Sequence, residues 1–220
     1  MSRQTVEEYL ETIKTLDEME GSPVRTSSLA RVLTVSSASV SEMLQRLSEK
    51  GLVQYTPYGG VSLTKKGMQK VLKLTRRHRL WEVFLNKHLN IGWEEVYNEA
   101  CILEHNTSDL VTDKLANFLG NPTLCPHGSP IPDRKLSLPK TSGIKIASLE
   151  SRTNVEITSI TNEINSKLLQ YLNKIGMVPG TRIEIVEKAS YDGTITVNAG
   201  GSIKAISAEV ASFIVVKKLV

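Results

Sequence analysis

Residues 26–64 read TSSLARVLTVSSASVSEMLQRLSEKGLVQYTPYGGVSLT, and the rest of the chain is organised around this stretch. Thr26 to Leu33 reads as a short helix. After Thr34 and Val35, the hydroxyls at Ser36, Ser37 and Ser39 offer caps for a second helix. Its apolar positions Val40, Met43, Leu44 and Leu47 recur every three or four residues up to Lys50 and Gly51. A helix, a turn and a helix result. Leu52–Tyr55 and Val61–Thr64 then flank Pro57-Tyr58-Gly59-Gly60, which predicts a strand, a turn and a strand. The hairpin is a wing, and the whole is a winged helix-turn-helix, whose second helix can enter the major groove of double-stranded DNA.

Upstream, Val6, Leu10, Ile13, Leu16 and Met19 make Gln4 to Glu20 an amphipathic helix that stops at Gly21-Ser22-Pro23. Downstream, Lys65 to His88 is a long helix, and Trp93 to about Leu119 is helical with a break near Asn106 and Thr107. Gly120 to Gly143 holds five of the eight prolines, too many breakers for a helix, and reads as a linker with something fixed inside it. From Ile144 onward the pattern alternates: Ile144–Ile146, Val155–Ile160, Ile183–Val186, Thr194–Val197 and Phe213–Val216, interrupted by one helix from Glu163 to Ile175. Five or so short strands with turns at Pro179-Gly180, Asp192-Gly193 and Gly200-Gly201 suggest a small barrel. The expected class is mainly α with α+β parts. The expected domains are a DNA reader over 1–72, a helical domain with its linker over 73–142, and a small β-domain over 143–220.

The 220 residues suit two or three packed units, with 40% hydrophobic and 23% charged residues in the ordinary globular range. No run approaches the roughly 18 apolar residues of a membrane span, and the first residues lack the pattern of a secretory signal, so a cytoplasmic protein is expected. Two cysteines, Cys101 and Cys125, are too few for a disulfide framework and point to thiol chemistry or metal binding. The net charge of +4 is unevenly placed: residues 1–79 carry 13 cations against 8 acids, and Arg46 to Arg79 holds nine cations with the single acid Glu49. A polyanion partner fits this bias, as does a solvated helix face.

Spacings of three and four residues bring Cys101, Glu104 and His105 to one helix stripe, focusing a thiolate, a carboxylate and an imidazole. His78 and Glu82 repeat the arrangement on the preceding long helix, and Glu8 and Glu11 stand together on the first. In the Pro-rich linker, Cys125-Pro126-His127 sets a thiol and an imidazole two apart. Any one pair is ordinary; the three helices and the turn together point to metal.

On Glu7-Glu8-Tyr9-Leu10, Arg77-His78-Arg79-Leu80-Trp81-Glu82, Glu99-Ala100-Cys101-Ile102-Leu103-Glu104-His105, Leu124–Pro132 and Gly176-Met177-Val178-Pro179-Gly180, the chain resembles the diphtheria toxin repressor family over nearly all its length. The likeness is to the longer members, which carry a C-terminal SH3-like domain. It implies a metal-activated transcriptional repressor that binds operator DNA as a homodimer, is not an enzyme, and holds two ions per subunit. The regulatory site then matches Glu8, Cys101, Glu104 and His105, with His78 close by. The ancillary site matches Glu82, Cys125 and His127, with Glu163 as the candidate ligand from the SH3-like domain. Base readout would fall to Ser36, Ser39, Ser41 and Glu42 beside Ser37, phosphate contact to Arg25 and Arg46, and the wing contact to Tyr58.

Two departures bear on the metal. Glu8 replaces the Met of iron-type members and leans toward a harder ion, whereas Cys101 replaces the Glu of manganese-type members and leans back. Tyr97 stands where some iron-type members have an ancillary His, which throws that site onto Cys125 and His127. Thiolate, imidazole and carboxylate together favour Fe(II), with Mn(II) as the alternative and Co(II), Ni(II) or Zn(II) as substitutes in vitro. Competing readings are a thiol redox sensor built on Cys101 and Cys125, and a metallohydrolase using Glu104 or Glu11 as general base.

Overall fold

The computed structural model describes residues 2–219, which fall into two compact units that divide between Arg77 and His78. In the first, α1 (Arg3–Glu20), α2 (Thr26–Leu33) and α3 (Ser37–Glu49) precede β1 (Val53–Thr56) and β2 (Gly60–Leu63). Ser36 caps α3, its side chain accepting from the Ser39 backbone N–H at 3.1 Å, as the hydroxyl run implied. The two strands pair antiparallel from Val53 with Leu63 to Thr56 with Gly60, forming the wing. Leu10, Ile13, Leu29, Val40, Leu44, Leu47 and Val61 are buried together, so the periodic apolar positions of three helices and the hairpin meet in one core. Gly60, at φ +95°, anchors the wing: a Cβ there would lie 2.7 Å from the Val24 carbonyl oxygen.

α4 (Lys65–Leu89) contributes its first half to this unit and its second half to the other. In the second unit follow α5 (Val96–Glu104) and α6 (Asp109–Phe118), separated by a break where Ser108 caps α6. Residues 121–132 are not a loose tether. Cys125 N–H donates to the Ser129 carbonyl at 2.9 Å, Gly128 N–H to the Cys125 carbonyl at 2.9 Å, and Ile160 N–H to the His127 carbonyl at 3.0 Å. Gly128, at φ +83°, is obligatory, because a Cβ would meet the Thr158 carbonyl oxygen at 1.9 Å.

The C-terminal SH3-like domain comprises β3 (Ile144–Lys145), β4 (Thr153–Ile160), α7 (Ser166–Lys174), β5 (Arg182–Lys188), β6 (Ile195–Ala199), β7 (Ser202–Ile206), α8 (Ala208–Ser212) and β8 (Ile214–Lys218). The sheet order is β3-β8-β4-β5-β6-β7, all antiparallel, with bulges in the β4–β8 and β5–β6 ladders. Val155, Ile157, Ile160, Leu169, Leu172, Ile183, Val197, Ile214 and Val216 fill its core, joined there by Trp93 from the α4–α5 connection.

One expectation is completed and two need correction. The five or so strands expected are six, β7 being the one whose residues carry too little alternation to be read, and the short helix α8 follows it. The helix expected from Glu163 begins at Ser166, capped by the Asn165 side chain, so Glu163 sits in the preceding turn. The basic run is also thinner than its sequence: Arg77 is buried with its guanidinium 3.3 Å from Glu7, and Arg79 donates to the Pro130 carbonyl at 2.5 Å.

Candidate metal centres and nucleic-acid interface

In the second unit, helical spacing puts His78 and Glu82 one turn apart on α4, and Cys101 and Glu104 on one stripe of α5. Two clusters result, in each of which the candidate ligand atoms lie within 4.8 Å of one another. The α5 cluster comprises His78, Cys101 and Glu104, and the turn cluster comprises Glu82, Cys125, His127 and Glu163.

In the α5 cluster, His78 Nδ1 stands 2.9 Å from Glu104 Oε2 and 4.0 Å from Cys101 Sγ, and the Tyr97 ring packs against the imidazole at 4.6 Å between centroids. His105 lies at its margin, Nε2 3.4 Å from the other Glu104 oxygen. The structure therefore pairs Cys101 and Glu104 with His78, a partner that local spacing alone could not supply. Burial alone would lower the His78 pKa, but Cys101, Glu104 and Glu82 around the ring outweigh it and hold it well above the ordinary value.

The turn cluster is more deeply enclosed. His127 Nε2 is 2.6 Å from the Trp93 carbonyl, an acceptor only, so Nε2 carries the ring proton. In the neutral ring Nδ1 is then a bare lone pair. It faces Glu82 Oε1 at 3.1 Å, Cys125 Sγ at 3.8 Å and Glu163 Oε2 at 3.9 Å. Glu163 is steadied through its other oxygen by the Ser129 hydroxyl and by Arg79 at 3.5 Å. Both oxygens of Glu82 are buried and lack an aligned hydrogen-bond donor, in a residue with no exposure at all. A buried carboxylate left in that state is costly unless a cation completes it, and a lone pair aimed at three acceptors needs a proton or a metal ion.

Electrostatics point the same way. Glu82 has burial working to raise its pKa, but His127 and His78 hold it far below the carboxylate range. For His127, burial opposes protonation and Glu82 and Glu163 overcome it, so its pKa is raised. Burial, then the charges of Glu82 and Glu163, push the Cys125 thiol well up. Protons thus sit where a divalent ion would, and the donor set of one thiolate, one imidazole and two carboxylates fits such an ion. Cys101 and Cys125 are both free thiols and belong to different clusters.

Glu8 and Glu11 lie on α1 of the first unit, half-buried, with Glu8 accepting from Gln4 at 2.9 Å. That unit also carries the expected nucleic-acid residues. Ser36, Ser37, Ser39 and Glu42 are exposed at the start of α3, Ser41 is half-buried, and Tyr58 stands fully exposed at the tip of the wing. Arg46 is exposed but forms an ion pair with Glu42 one turn back. A groove of about 830 Å³ is lined by Arg25, Thr26, Ser37, Ser41, Gln45, Tyr55 and Tyr58. Gln45, exposed on α3 and facing this groove, was missed by the sequence reading, although its i+4 relation to Ser41 could have shown it.

Comparison with known proteins covers nearly the whole chain. The iron dependent repressor N-terminal DNA binding domain matches residues 1–61, the iron dependent repressor metal binding and dimerisation domain residues 64–133, and the FeoA domain residues 144–218. The iron-dependent repressor IdeR of Mycobacterium tuberculosis is 31% identical over 226 residues, spanning 98% of this chain and 97% of that protein. Among solved structures, a manganese-dependent transcriptional repressor in complex with manganese has a TM-score of 0.87 at 31% identity, over 97% of this chain and 100% of that one. ScaR with bound Zn²⁺ has a TM-score of 0.81 at 28% identity, over 97% and 99%.

Proposed function

This chain belongs to the iron-dependent, or diphtheria toxin, repressor family of metal-dependent transcriptional repressors, and from that premise we propose that it represses transcription as a homodimer on operator DNA with Fe(II) as corepressor. The observation that carries the metal reading is the turn cluster: a fully buried Glu82 without an aligned donor, facing an imidazole lone pair fixed by the Trp93 carbonyl. A bound divalent ion supplies the positive charge and directional bonds that this donor set lacks.

Glu82, Cys125, His127 and Glu163 are the proposed ligands of one site. Cys101, Glu104, His78 and His105 are those of the other, to which the family resemblance adds Glu8. A thiolate in each set favours Fe(II) over Mn(II). Mn(II) is the second reading, favoured by the carboxylate at position 8 and by the similarity to a manganese-dependent repressor. The protein is not an enzyme in this reading, which rests on its family being one of transcriptional repressors. The half-buried Cys101 and the buried Cys125 lie in separate clusters, which leaves the redox-sensor reading without a thiol partner for either.

In the DNA-reading unit, Ser36, Ser37, Ser39, Ser41 and Glu42 are proposed at base edges, Arg25 and Arg46 on phosphates, and Tyr58 beside the backbone. The exposed apolar residues Ile102, Leu110, Val111 and Phe118 of α5 and α6 support a dimer face on the metal-binding domain. Metal can raise DNA affinity only by as much as its affinity differs between the DNA-competent arrangement and the others. The test is DNA binding to the upstream region of its own gene, with Fe(II) or Mn(II) supplied anaerobically. Cys101→Ala, His105→Ala and Glu8→Ala are each expected to abolish metal-stimulated binding while leaving a folded dimer by circular dichroism and sedimentation. Unchanged activation in the Cys101→Ala and His105→Ala proteins would reject the α5 site.

A further inference from the structure

In the DNA-reading unit, the basic run and the free hydrogen-bond donors lie in different places. Arg46 is paired with Glu42, and Arg77 with Glu7. The wing offers no cation at all, since residues 52–64 contain no charged side chain. The groove of about 830 Å³ between α3 and the wing is walled instead by neutral donors, with Arg25 its one cation and no acid among the described residues that line it. Ser37, Ser41 and Gln45 follow one another at intervals of four on α3 and form one stripe along one wall. Tyr55 and Tyr58 of the wing stand on the other. Among the described residues, these side chains and that of Arg25 hydrogen-bond or ion-pair with no other residue. Gln45 is exposed and Tyr55 half-buried, so the amide and the hydroxyl face the groove with their donors unused.

We infer that this groove seats one sugar–phosphate strand of duplex DNA, with Gln45 and Tyr55 as positioning residues that grip the strand from opposite walls through uncharged donors. This rests on the DNA-reading proposal above and deepens it. With the start of α3 over base edges in the major groove, the strand that borders that groove passes between α3 and the wing. Ser37 and Ser41 stand at the base-facing end of the stripe, and Gln45, one turn further along, lies beside the strand. A Gln amide has two N–H donors and a Tyr hydroxyl one, and neither group is charged. A phosphate oxygen accepts from them whatever the base sequence, so the contact fixes register and adds affinity for all duplexes alike. It also releases no counterion, which requires a Lys or Arg to neutralise the phosphate. The signature of the grip is therefore a loss of affinity without a change in salt dependence, the opposite of what a cation such as Arg46 gives.

The test titrates the full chain, with Fe(II) supplied anaerobically, against a duplex from the upstream region of its own gene and an unrelated duplex of equal length, across a salt series. Gln45→Ala and Tyr55→Phe should each weaken both duplexes by the same factor, about 2- to 10-fold, and leave the slope of log affinity against log salt unchanged. Gln45→Lys should regain affinity at low salt and steepen that slope by about 1, because an ammonium then meets the phosphate in place of the amide. Gln54 is exposed on the opposite face of β1, so Gln54→Lys should leave the slope as it is. A loss in Gln45→Ala confined to the upstream duplex would make Gln45 a reader of bases and overturn the seat. Unchanged binding by either Gln45→Ala or Tyr55→Phe would overturn the two-walled grip, as would equal steepening by Gln45→Lys and Gln54→Lys. A parent protein that binds neither duplex would sink the DNA-reading proposal itself.

Discussion

Glu82 is the residue on which the candidate chemistry turns, because it is fully buried between two imidazoles, His78 at 3.3 Å and His127 at 3.1 Å. Its proximity to His78 was legible as an i, i+4 pair, and Cys125 with His127 as a pair two apart. The approach of His78 to Cys101 and Glu104 was not, since it depends on how α4 meets α5. Raised pKa values at His78 and His127 give the metal-free protein a definite pH dependence. A histidine whose folded pKa is raised contributes stability below its unfolded value, 6.5, and loses it as pH climbs through the folded value. Thermal unfolding of chelator-treated protein should therefore show a falling melting temperature as pH rises from about 6.5 upward. The metal-loaded protein should show the reverse at the acid end, because protons on His78, His127 and the Cys125 thiol compete with the ion. Calorimetry in buffers of different ionisation enthalpy should register proton release on binding. A metal-free melting temperature flat across this range would mean that these imidazoles are not charged partners of Glu82.

At the scale of elements, α3 and α4 present a narrower positive surface than their sequence promised. Arg77 and Arg79 of the basic run serve internal contacts with Glu7 and with Pro130 and Glu163, and Arg46 is held by Glu42. Charge counting could not foresee this, since each partner lies on another turn or another element. It yields a paired prediction for duplex DNA. Arg46→Ala should weaken all sequences alike and reduce the slope of log affinity against log salt by about 1. Glu42→Ala removes the competitor for Arg46 and should raise sequence-independent affinity while blurring discrimination among operators. Anisotropy titrations across a salt series decide the matter, and an Arg46→Ala protein with unchanged slope would place the phosphate contacts elsewhere. The helices of this reader and its wing were legible from periodicity and turn residues. β7 was not: in Ser202–Ile206 only Ile206 is buried while Ile203 is exposed, so the alternation that marks a strand is missing.

Across the second unit as a whole, the turn cluster is also a fastening. Its ligands come from α4, from the Pro-rich turn and from the segment between β4 and α7, and the same region is tied by the Ile160 to His127 backbone bond and by Trp93 in the SH3-like core. Glu163 belongs to this fastening although its neighbours in sequence gave no sign of it, because only the fold brings it to Ser129 and Arg79. An ion there stabilises this unit by mass action, about 2.7 kcal/mol at a free concentration 100 times its dissociation constant. At roughly 2 to 4 °C per kcal/mol for a unit of this size, that corresponds to about 5 to 11 °C in melting temperature. His127→Ala should forfeit that increment in the presence of metal, lower the count of tight ions by one, and loosen hydrogen-exchange protection around β4 and α7. Its loss of DNA affinity should be smaller than that of His105→Ala, because these ligands join the helical domain to the SH3-like domain rather than forming part of the DNA reader. If ion count and metal-loaded melting are both unchanged in His127→Ala, the turn is a rigid corner held by Gly128 and its backbone bonds, and the buried charge of Glu82 must be answered by protonated imidazoles alone.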